Sequence, residues 1–149
     1  MGPDRQPPHY VNIAVSRETE ARAAVEEVLR AIDLPETCFV LAFVPEGLNL
    51  DIVARALDDG AGGVPVFGCT TAGTITPLGY ETEALLLLAF PREHFRCASM
   101  LIAPLKPLSI QSIAAEARSH AARFQRTAGW NRLALILADG LSKQEDLLV

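Results

Sequence analysis

One short stretch of this sequence places a thiol and two hydroxyls between glycines. It is Gly68–Gly73, with the sequence GCTTAG, and it follows the apolar residues Val64–Phe67. Three kinds of site use such residues: a cysteine nucleophile, a glycine-rich phosphate loop and a pocket for a small polar ligand. A tight structural bend is a fourth interpretation, because small residues also form turns.

The phosphate-loop interpretation lacks two of its physical requirements. Gly68 and Gly73 have the glycine spacing of G-x-x-x-x-G-K-[ST], but Thr74 stands where the lysine belongs. Thr76-Pro77 stands where a helix should begin, so both the cation and the helix N-terminus that neutralise a phosphate are missing. The sequence therefore argues against a nucleotide loop.

A nucleophilic Cys69 needs a partner that lowers its pKa, such as a histidine, a cation or a helix N-terminus. No charged residue lies between Asp59 and Glu81, so such a partner has to come from elsewhere in the fold. A free cysteine more often behaves as a small apolar residue. We therefore expect Cys69 to be non-catalytic and the protein not to be an enzyme, with a cysteine-dependent enzyme as an alternative.

The ligand-pocket interpretation depends on the residues around the thiol. Glycine lets a ligand approach the backbone, and the hydroxyls of Thr70 and Thr71 add hydrogen-bonding groups. Asp139, followed by Gly140, ends the apolar run LALILA, and α/β sheets bind ligands at the carboxyl ends of their strands. Asp139 is therefore either a further ligand residue or part of a simple Asp-Gly turn. The residues alone leave a ligand site and a structural bend equally open.

The histidines show little sign of a metal site. The only metal-like spacing is His94-x-x-Cys97, and residues three apart in a strand point to opposite faces. One histidine is enough to ligate a haem, so His94 is a haem-ligand alternative to an exposed turn residue. We expect no bound metal and no cofactor.

The composition indicates a single soluble domain without nucleic-acid or membrane partners. Of the 149 residues 50% are hydrophobic, and the net charge of -5 provides no basic field for nucleic acid. The longest apolar run, Ala84–Phe90, is too short to cross a bilayer. The three cysteines form no CxxC pair and are expected to be reduced thiols in the cytoplasm.

Hydrophobic periodicity predicts an α/β layered domain with a mixed β-sheet, built from parallel βαβ units plus an antiparallel hairpin and flanked by helices. Met1–Pro8 is predicted to be a flexible arm. The predicted strands are His9–Ser16, Cys38–Val44, Val64–Phe67, Ala84–Phe90, Phe95–Ala103 and Leu133–Ala138, with a turn or short hairpin at Thr74–Tyr80. The predicted helices run from a Thr19 cap to Ile32, from an Asn49 cap to Leu57 and from a Ser109 cap to Thr127.

A capping box at Ser142–Glu145 predicts one more helix just before Val149. So short a helix gains little stability alone. We therefore expect residues 9–149 to form a domain that is incomplete at its C-terminus.

Two blocks of this sequence resemble the FIST N-terminal domain. Val66–Phe90 is similar to the family's central block, a G-C-[ST]-[ST]-[AG]-G stretch followed by a Pro-Gly-Tyr segment and an aliphatic strand. Leu133–Val149 resembles the next block, a strand ending in Asp-Gly and then a helix. The resemblance covers most of the chain from about Val11 onward.

The resemblance implies a bacterial sensory domain that binds a small amino-acid-like metabolite. It implies partners such as a histidine kinase, a cyclic-di-GMP enzyme or a chemoreceptor, and a C-terminal FIST partner domain that this chain lacks. Some members of the family bind haem and sense nitric oxide, which is the alternative function. The ligand residues carried over are Gly68, Cys69, Thr70, Thr71, Gly73 and Asp139.

Overall fold

The computed structural model describes residues 10–102, 109–124 and 127–137. The chain divides into two compact units, Met1–Cys97 and Ala98–Val149. The predicted arm Met1–Pro8, the Asp139-Gly140 pair and the predicted helix after Ser142 lie outside the described residues.

The first unit contains a mixed four-stranded sheet with two helices. Its elements in chain order are β1 (Asn12–Ser16), α1 (Ala21–Arg30), β2 (Thr37–Pro45), α2 (Leu50–Gly60), β3 (Val66–Thr71), β4 (Thr74–Thr76), β5 (Gly79–Glu81) and β6 (Leu85–Pro91). The strand order is β1-β6-β2-β3, with β2 and β3 parallel and β6 antiparallel to both of its neighbours. Strands β4 and β5 form a separate antiparallel hairpin. The predicted mixed α/β fold is confirmed.

Both helices of this unit are capped by side chains, but the first cap is not the predicted one. The carboxylate of Glu20, one residue after Thr19, accepts hydrogen bonds from the backbone N–H of Ala23 at 2.7 Å and of Arg22 at 3.1 Å. These bonds hold the pKa of Glu20 below its ordinary value, and a carboxylate also suits the positive end of the helix dipole. Asn49 caps α2 as predicted, accepting from the Ile52 N–H at 3.1 Å.

The core lies between the two helices and one face of the sheet. Side chains alternate between faces along a strand, so every second residue points toward the helices. The buried strand residues on this face are Ala14, Val40, Ala42, Val44, Leu85, Leu87 and Ala89. From the helices, Val25, Val28 and Val53 pack against them. The middle strands β2 and β6 therefore contribute most of the sheet's share of the core.

The strand predicted at Phe95–Ala103 is wrong for its described part, Phe95–Ile102. After β6 the chain makes a tight turn in which the N–H groups of His94 and Phe95 both donate to the Pro91 carbonyl, at 3.2 and 3.0 Å. The Phe95 ring then packs edge-on against Phe90, with 5.0 Å between ring centroids. Aromatic packing replaces the strand pairing that the sequence suggested.

The second unit contains α3 (Ile110–Ala122), capped by Ser109 as predicted, with the Ser112 N–H bonding the Ser109 hydroxyl at 3.3 Å. It ends earlier than the predicted Thr127. The buried strand predicted at Leu133–Ala138 is wrong for Leu133–Leu137, which form no strand and are exposed, Leu133 by 93%. A strand needs a neighbour for its backbone groups, and among the described residues of this unit no other strand provides one. In the described parts of both units, no helix is long and apolar enough to cross a membrane.

Replacing Leu87 by alanine should strongly destabilise the first unit. Leu87 is fully buried on a central strand, and such a truncation removes buried methyl groups and leaves a cavity, at a cost of about 2–5 kcal/mol. Urea denaturation followed by circular dichroism measures the loss. The matched control Ile75→Ala removes an 82% exposed side chain and should change the unfolding free energy by less than about 0.5 kcal/mol; equal losses in both variants would contradict this description of the core.

Candidate functional site

The end of the GCTTAG stretch lies at one edge of the four-stranded sheet. Because β1 and β2 are both antiparallel to β6, and β3 is parallel to β2, these three strands end at the same edge. Strand β6 begins there, and the β4–β5 hairpin lies between the end of β3 and the start of β6 in the chain. We call this the carboxyl edge; α/β sheets bind ligands at such edges.

The GCTTAG stretch is mostly strand rather than loop. The predicted strand ended at Phe67, but β3 continues to Thr71 and so includes Gly68, Cys69 and Thr70. In the register with β2, Gly68 and Thr70 lie opposite the core residues Ala42 and Val44, whereas Cys69 lies opposite Phe43. Alternation therefore puts Gly68 and Thr70 on one face of the sheet and Cys69 and Thr71 on the other.

Gly68 is required by the close approach of β3 to β2. A Cβ atom at Gly68 would lie 2.0 Å from the carbonyl oxygen of Ala42 and 2.9 Å from its carbonyl carbon. Backbone atoms cannot move aside as a flexible side chain can. Gly68 thus has a packing role within the sheet, besides any contact it makes with a ligand.

The end of the motif is a turn closed by a hydroxyl. The Thr71 hydroxyl accepts from the Gly73 N–H at 3.2 Å and donates to the Gly73 carbonyl at 2.6 Å. A Cβ at Gly73 would lie 2.3 Å from the Tyr80 hydroxyl and 2.5 Å from the adjacent ring carbon. Gly73 therefore leaves room for the Tyr80 side chain of the hairpin, and the motif ends against that ring.

An ion pair ties the hairpin to the end of β1. The Arg17 guanidinium donates from Nε to the Glu81 carboxylate at 2.5 Å and from Nη2 at 2.7 Å. The Thr76 hydroxyl, on the other strand of the hairpin, donates to the same carboxylate. Such two-point pairing between guanidinium and carboxylate fixes orientation as well as distance.

The two donors lower the pKa of Glu81. The hydrogen bond from Arg17 has the larger effect and the bond from Thr76 the next, and both favour the carboxylate over the carboxylic acid. Because the pKa is lower in the folded state than in the unfolded chain, the interaction stabilises the fold above the unfolded pKa. That stabilisation is lost as the pH falls through the folded pKa.

An open cleft of about 380 Å³ lies beside the hairpin, lined by Arg17, Tyr80, Glu81, Thr82 and Glu83. The side chains that line it carry a guanidinium, two carboxylates, a phenol and a hydroxyl, which are the hydrogen-bonding groups that the cleft offers.

The loop after β2 contacts one of the residues that line this cleft. The Glu83 carboxylate lies over Gly47, where a Cβ atom would be 2.6 Å from Glu83 Oε2. Three segments, those that follow β1 and β2 and the one that precedes β6, therefore meet at the carboxyl edge.

The chain matches a known protein family. The sequence pattern of the FIST N domain matches residues 38–149. The chain belongs to the FIST N domain family. FIST is a sensory domain family of signalling proteins rather than a catalytic one. No curated protein matches the chain.

The matched residues of this FIST domain begin within β2, so β1 and α1 precede them. They nevertheless belong to the same packed unit, because β1 pairs with β6 over five residues from Asn12 to Ser16. Arg17 follows directly. The cleft therefore combines one residue from outside the family match with four from inside it.

Cys69, the candidate nucleophile, is exposed on β3. Among the described residues no histidine or arginine forms a hydrogen bond with its sulfur. Arg17, the charged residue that follows β1, pairs with Glu81. The nucleophile interpretation of Cys69 stays an alternative prediction.

His94, the candidate haem ligand, lies in the turn after β6. Its ring packs edge-on against Tyr10, with centroids 5.1 Å apart, and its Nε2 is 3.8 Å from the Glu93 carboxylate. A porphyrin also needs an apolar slot next to its ligating histidine. Haem binding stays a prediction from the family resemblance.

Sequence reasoning missed Arg17, Glu81 and Glu83. A single charged residue beside a turn belongs to no recognisable motif. The Pro-Gly-Tyr segment predicted the hairpin next to Glu81 and Glu83, but it did not indicate the charged residues themselves. Of the residues it did single out, Thr71 and Gly73 lie at the carboxyl edge, and Gly68, Cys69 and Thr70 lie within β3. Asp139 lies outside the described residues.

Gly68→Ala should destabilise the FIST domain because the new methyl group meets the Ala42 backbone and pushes β3 away from β2. Forced overpacking of this kind costs about 1–3 kcal/mol. Urea denaturation measures it, with Cys69→Ala as the matched control at the next, exposed position. A Gly68→Ala protein as stable as the control would show that the close approach is not required.

Arg17→Gln should raise the pKa of Glu81, because it removes the group that lowers this pKa most, and Thr76→Val should raise it by less. Carbon-detected NMR titration of the glutamate carboxyl groups measures both shifts. Arg30→Gln is the control, since Arg30 pairs with Glu26 on the exposed face of α1. An unchanged Glu81 pKa in Arg17→Gln would show that the two groups do not pair in solution.

Proposed function

We propose that this FIST domain senses an amino-acid-like metabolite in the cleft at its carboxyl edge and passes the signal to a cytoplasmic output, such as a histidine kinase, a cyclic-di-GMP enzyme or a chemoreceptor. The domain acts by binding and not by catalysis. The family supplies the sensory role. The side chains of the cleft support the chemistry of the ligand.

The observation that carries the proposal is the mixed charge of the cleft around Arg17. Two of the guanidinium nitrogens, Nε and Nη2, bond Glu81. The third, Nη1, has no hydrogen bond to the described residues and can donate to a ligand carboxylate. Glu83 lines the same cleft and offers a carboxylate to a ligand ammonium group. A zwitterionic ligand, with one carboxylate and one ammonium group, can pair with both Arg17 and Glu83.

The GCTTAG residues complete the proposed site. The Thr71–Gly73 turn positions the Tyr80 ring, which lines the cleft. Gly68, Cys69 and Thr70 belong to the strand that leads to this turn, and Asp139 stays a predicted ligand residue at the edge of the sheet. A C-terminal FIST domain is the proposed partner that completes the sensor.

The proposed route of the signal is the β4–β5 hairpin. A ligand carboxylate on Nη1 shares the Arg17 guanidinium with Glu81, which belongs to the hairpin. Because the Arg17–Glu81 pair connects the hairpin to β1, the position of the hairpin then depends on whether a ligand is bound. The free energy for this change comes from the difference between the ligand's contacts with Arg17 in the two positions of the hairpin.

A thermal-shift panel of the common amino acids and their decarboxylated and deaminated analogues tests the proposal. An amino acid at 100 times its Kd should stabilise the protein by about 2.7 kcal/mol and raise the unfolding midpoint. Amines and keto acids, which have only one of the two charges, should give smaller shifts. Arg17→Gln and Glu83→Gln should each abolish the shift, whereas the control Arg30→Gln should retain it.

Two results would overturn the proposal. In the first, no amino acid in the panel raises the midpoint. In the second, an amino acid does so equally well in Arg17→Gln and Glu83→Gln, which would place the binding site elsewhere on the domain.

A further inference from the structure

Cys38 lies at an irregularity in the pairing of β2 with β6. Thr37 pairs with Pro91 and Phe39 pairs with Phe90, so Cys38 is an extra residue with no partner on β6. A bulge of this kind redirects the side chain that it contains. Cys38 is half-buried rather than enclosed in the core.

Aromatic packing holds the chain after β6 beside this bulge. Phe39 stacks on Phe90, with centroids 4.3 Å apart, and Phe95 packs edge-on against both rings at 6.4 and 5.0 Å. The chain after β6 is thus held beside the start of β2. Cys97 follows Phe95 by two residues and is exposed.

The electrostatics agree with this proximity. Partial burial raises the pKa of the Cys97 thiol, and the neighbouring Cys38 raises it further. A charge on one sulfur therefore acts on the other. Cys97 lies in neither a helix nor a strand, so the backbone can adjust to the Cα separation of about 4.4–6.8 Å that a disulfide needs.

We propose that Cys38 and Cys97 are a redox-sensitive pair that forms an intramolecular disulfide when the protein is exposed to hydrogen peroxide. The thiolate of one cysteine attacks the peroxide, its S–O bond forms as the O–O bond breaks, and the hydroxide released takes up the thiol proton to give water. The second thiol attacks the sulfenic sulfur, and the S–S bond forms as a second water leaves. Two thiols and one peroxide give one disulfide and two waters.

This disulfide would act on the connection between the two units. Cys97 is the last residue of the first unit, and the second unit begins at Ala98. Bonding Cys97 to β2 fixes the point at which the chain leaves the first unit. The proposal does not depend on the ligand cleft, since neither cysteine lines it.

The pH dependence of oxidation follows from the thiols. The thiolate is the form that reacts with peroxide, and its fraction grows as the pH rises toward the thiol pKa, which is raised at Cys97. Oxidation should therefore speed up as the pH rises above neutrality.

Peroxide treatment followed by iodoacetamide alkylation and peptide mass spectrometry tests the proposal. The expected product is a Cys38–Cys97 linked peptide that has lost two hydrogens, with Cys69 alkylated. Cys38→Ser and Cys97→Ser should each abolish this product, and dithiothreitol should reverse it. The matched control Cys69→Ser should leave it unchanged.

Three outcomes would overturn the proposal: alkylation of all three cysteines after peroxide, disulfide-linked dimers through Cys69 in place of the internal bond, or over-oxidation of Cys97 while Cys38 stays alkylatable. Because the linked peptide is mapped in the unsubstituted protein, a serine variant that fails to fold does not affect the result. Arg17→Gln should still form the disulfide, which separates this proposal from the ligand site.

Discussion

The position of β6 between β1 and β2 is the constraint on which the rest of the first unit depends. Each of its neighbours is paired to it by an antiparallel ladder, and its residues Leu85, Leu87 and Ala89 fill the middle of the core. Since β6 is the last strand of the unit in sequence, β1 joins the sheet only through a strand far along the chain. This non-local pairing holds β1 and α1 in the same unit as the rest.

The placement of β6 between β1 and β2 also shapes the carboxyl edge. The chain has to return from β3, at the side of the sheet, to its centre, and the β4–β5 hairpin lies in that return. The hairpin consequently lies beside the ends of the other strands. Arg17, which follows β1, then meets Glu81 at the end of the hairpin, although the two are 64 residues apart in sequence. The central position of β6 in the strand order therefore accounts both for its packing in the core and for the formation of the cleft.

Local signals predicted most of the regular elements. The buried runs of β2 and β6, the hairpin at Pro77-Gly79 and the caps Asn49 and Ser109 all follow from short-range chemistry. The two wrongly predicted strands have a common cause. Phe95 and Leu133–Leu137 have strand-like sequences, but a strand also requires a neighbour with free backbone groups. Apolar content by itself does not say whether a side chain packs on a ring, pairs in a sheet or stays exposed.

The sequence by itself determined the fold class, the family and the small, uncharged GCTTAG stretch at the end of β3. It also places glycine at positions 68 and 73. The structure explains both glycines by close contacts, because Gly68 lies against the Ala42 backbone and Gly73 lies against the Tyr80 side chain. Only the tertiary structure decided that the threonines and the cysteine alternate between two faces. It alone also decided that Arg17 pairs with Glu81 beside a cleft that Glu83 lines. The physical reason is that strand alternation and ion pairing across long sequence separations depend on register and topology, which no local pattern specifies.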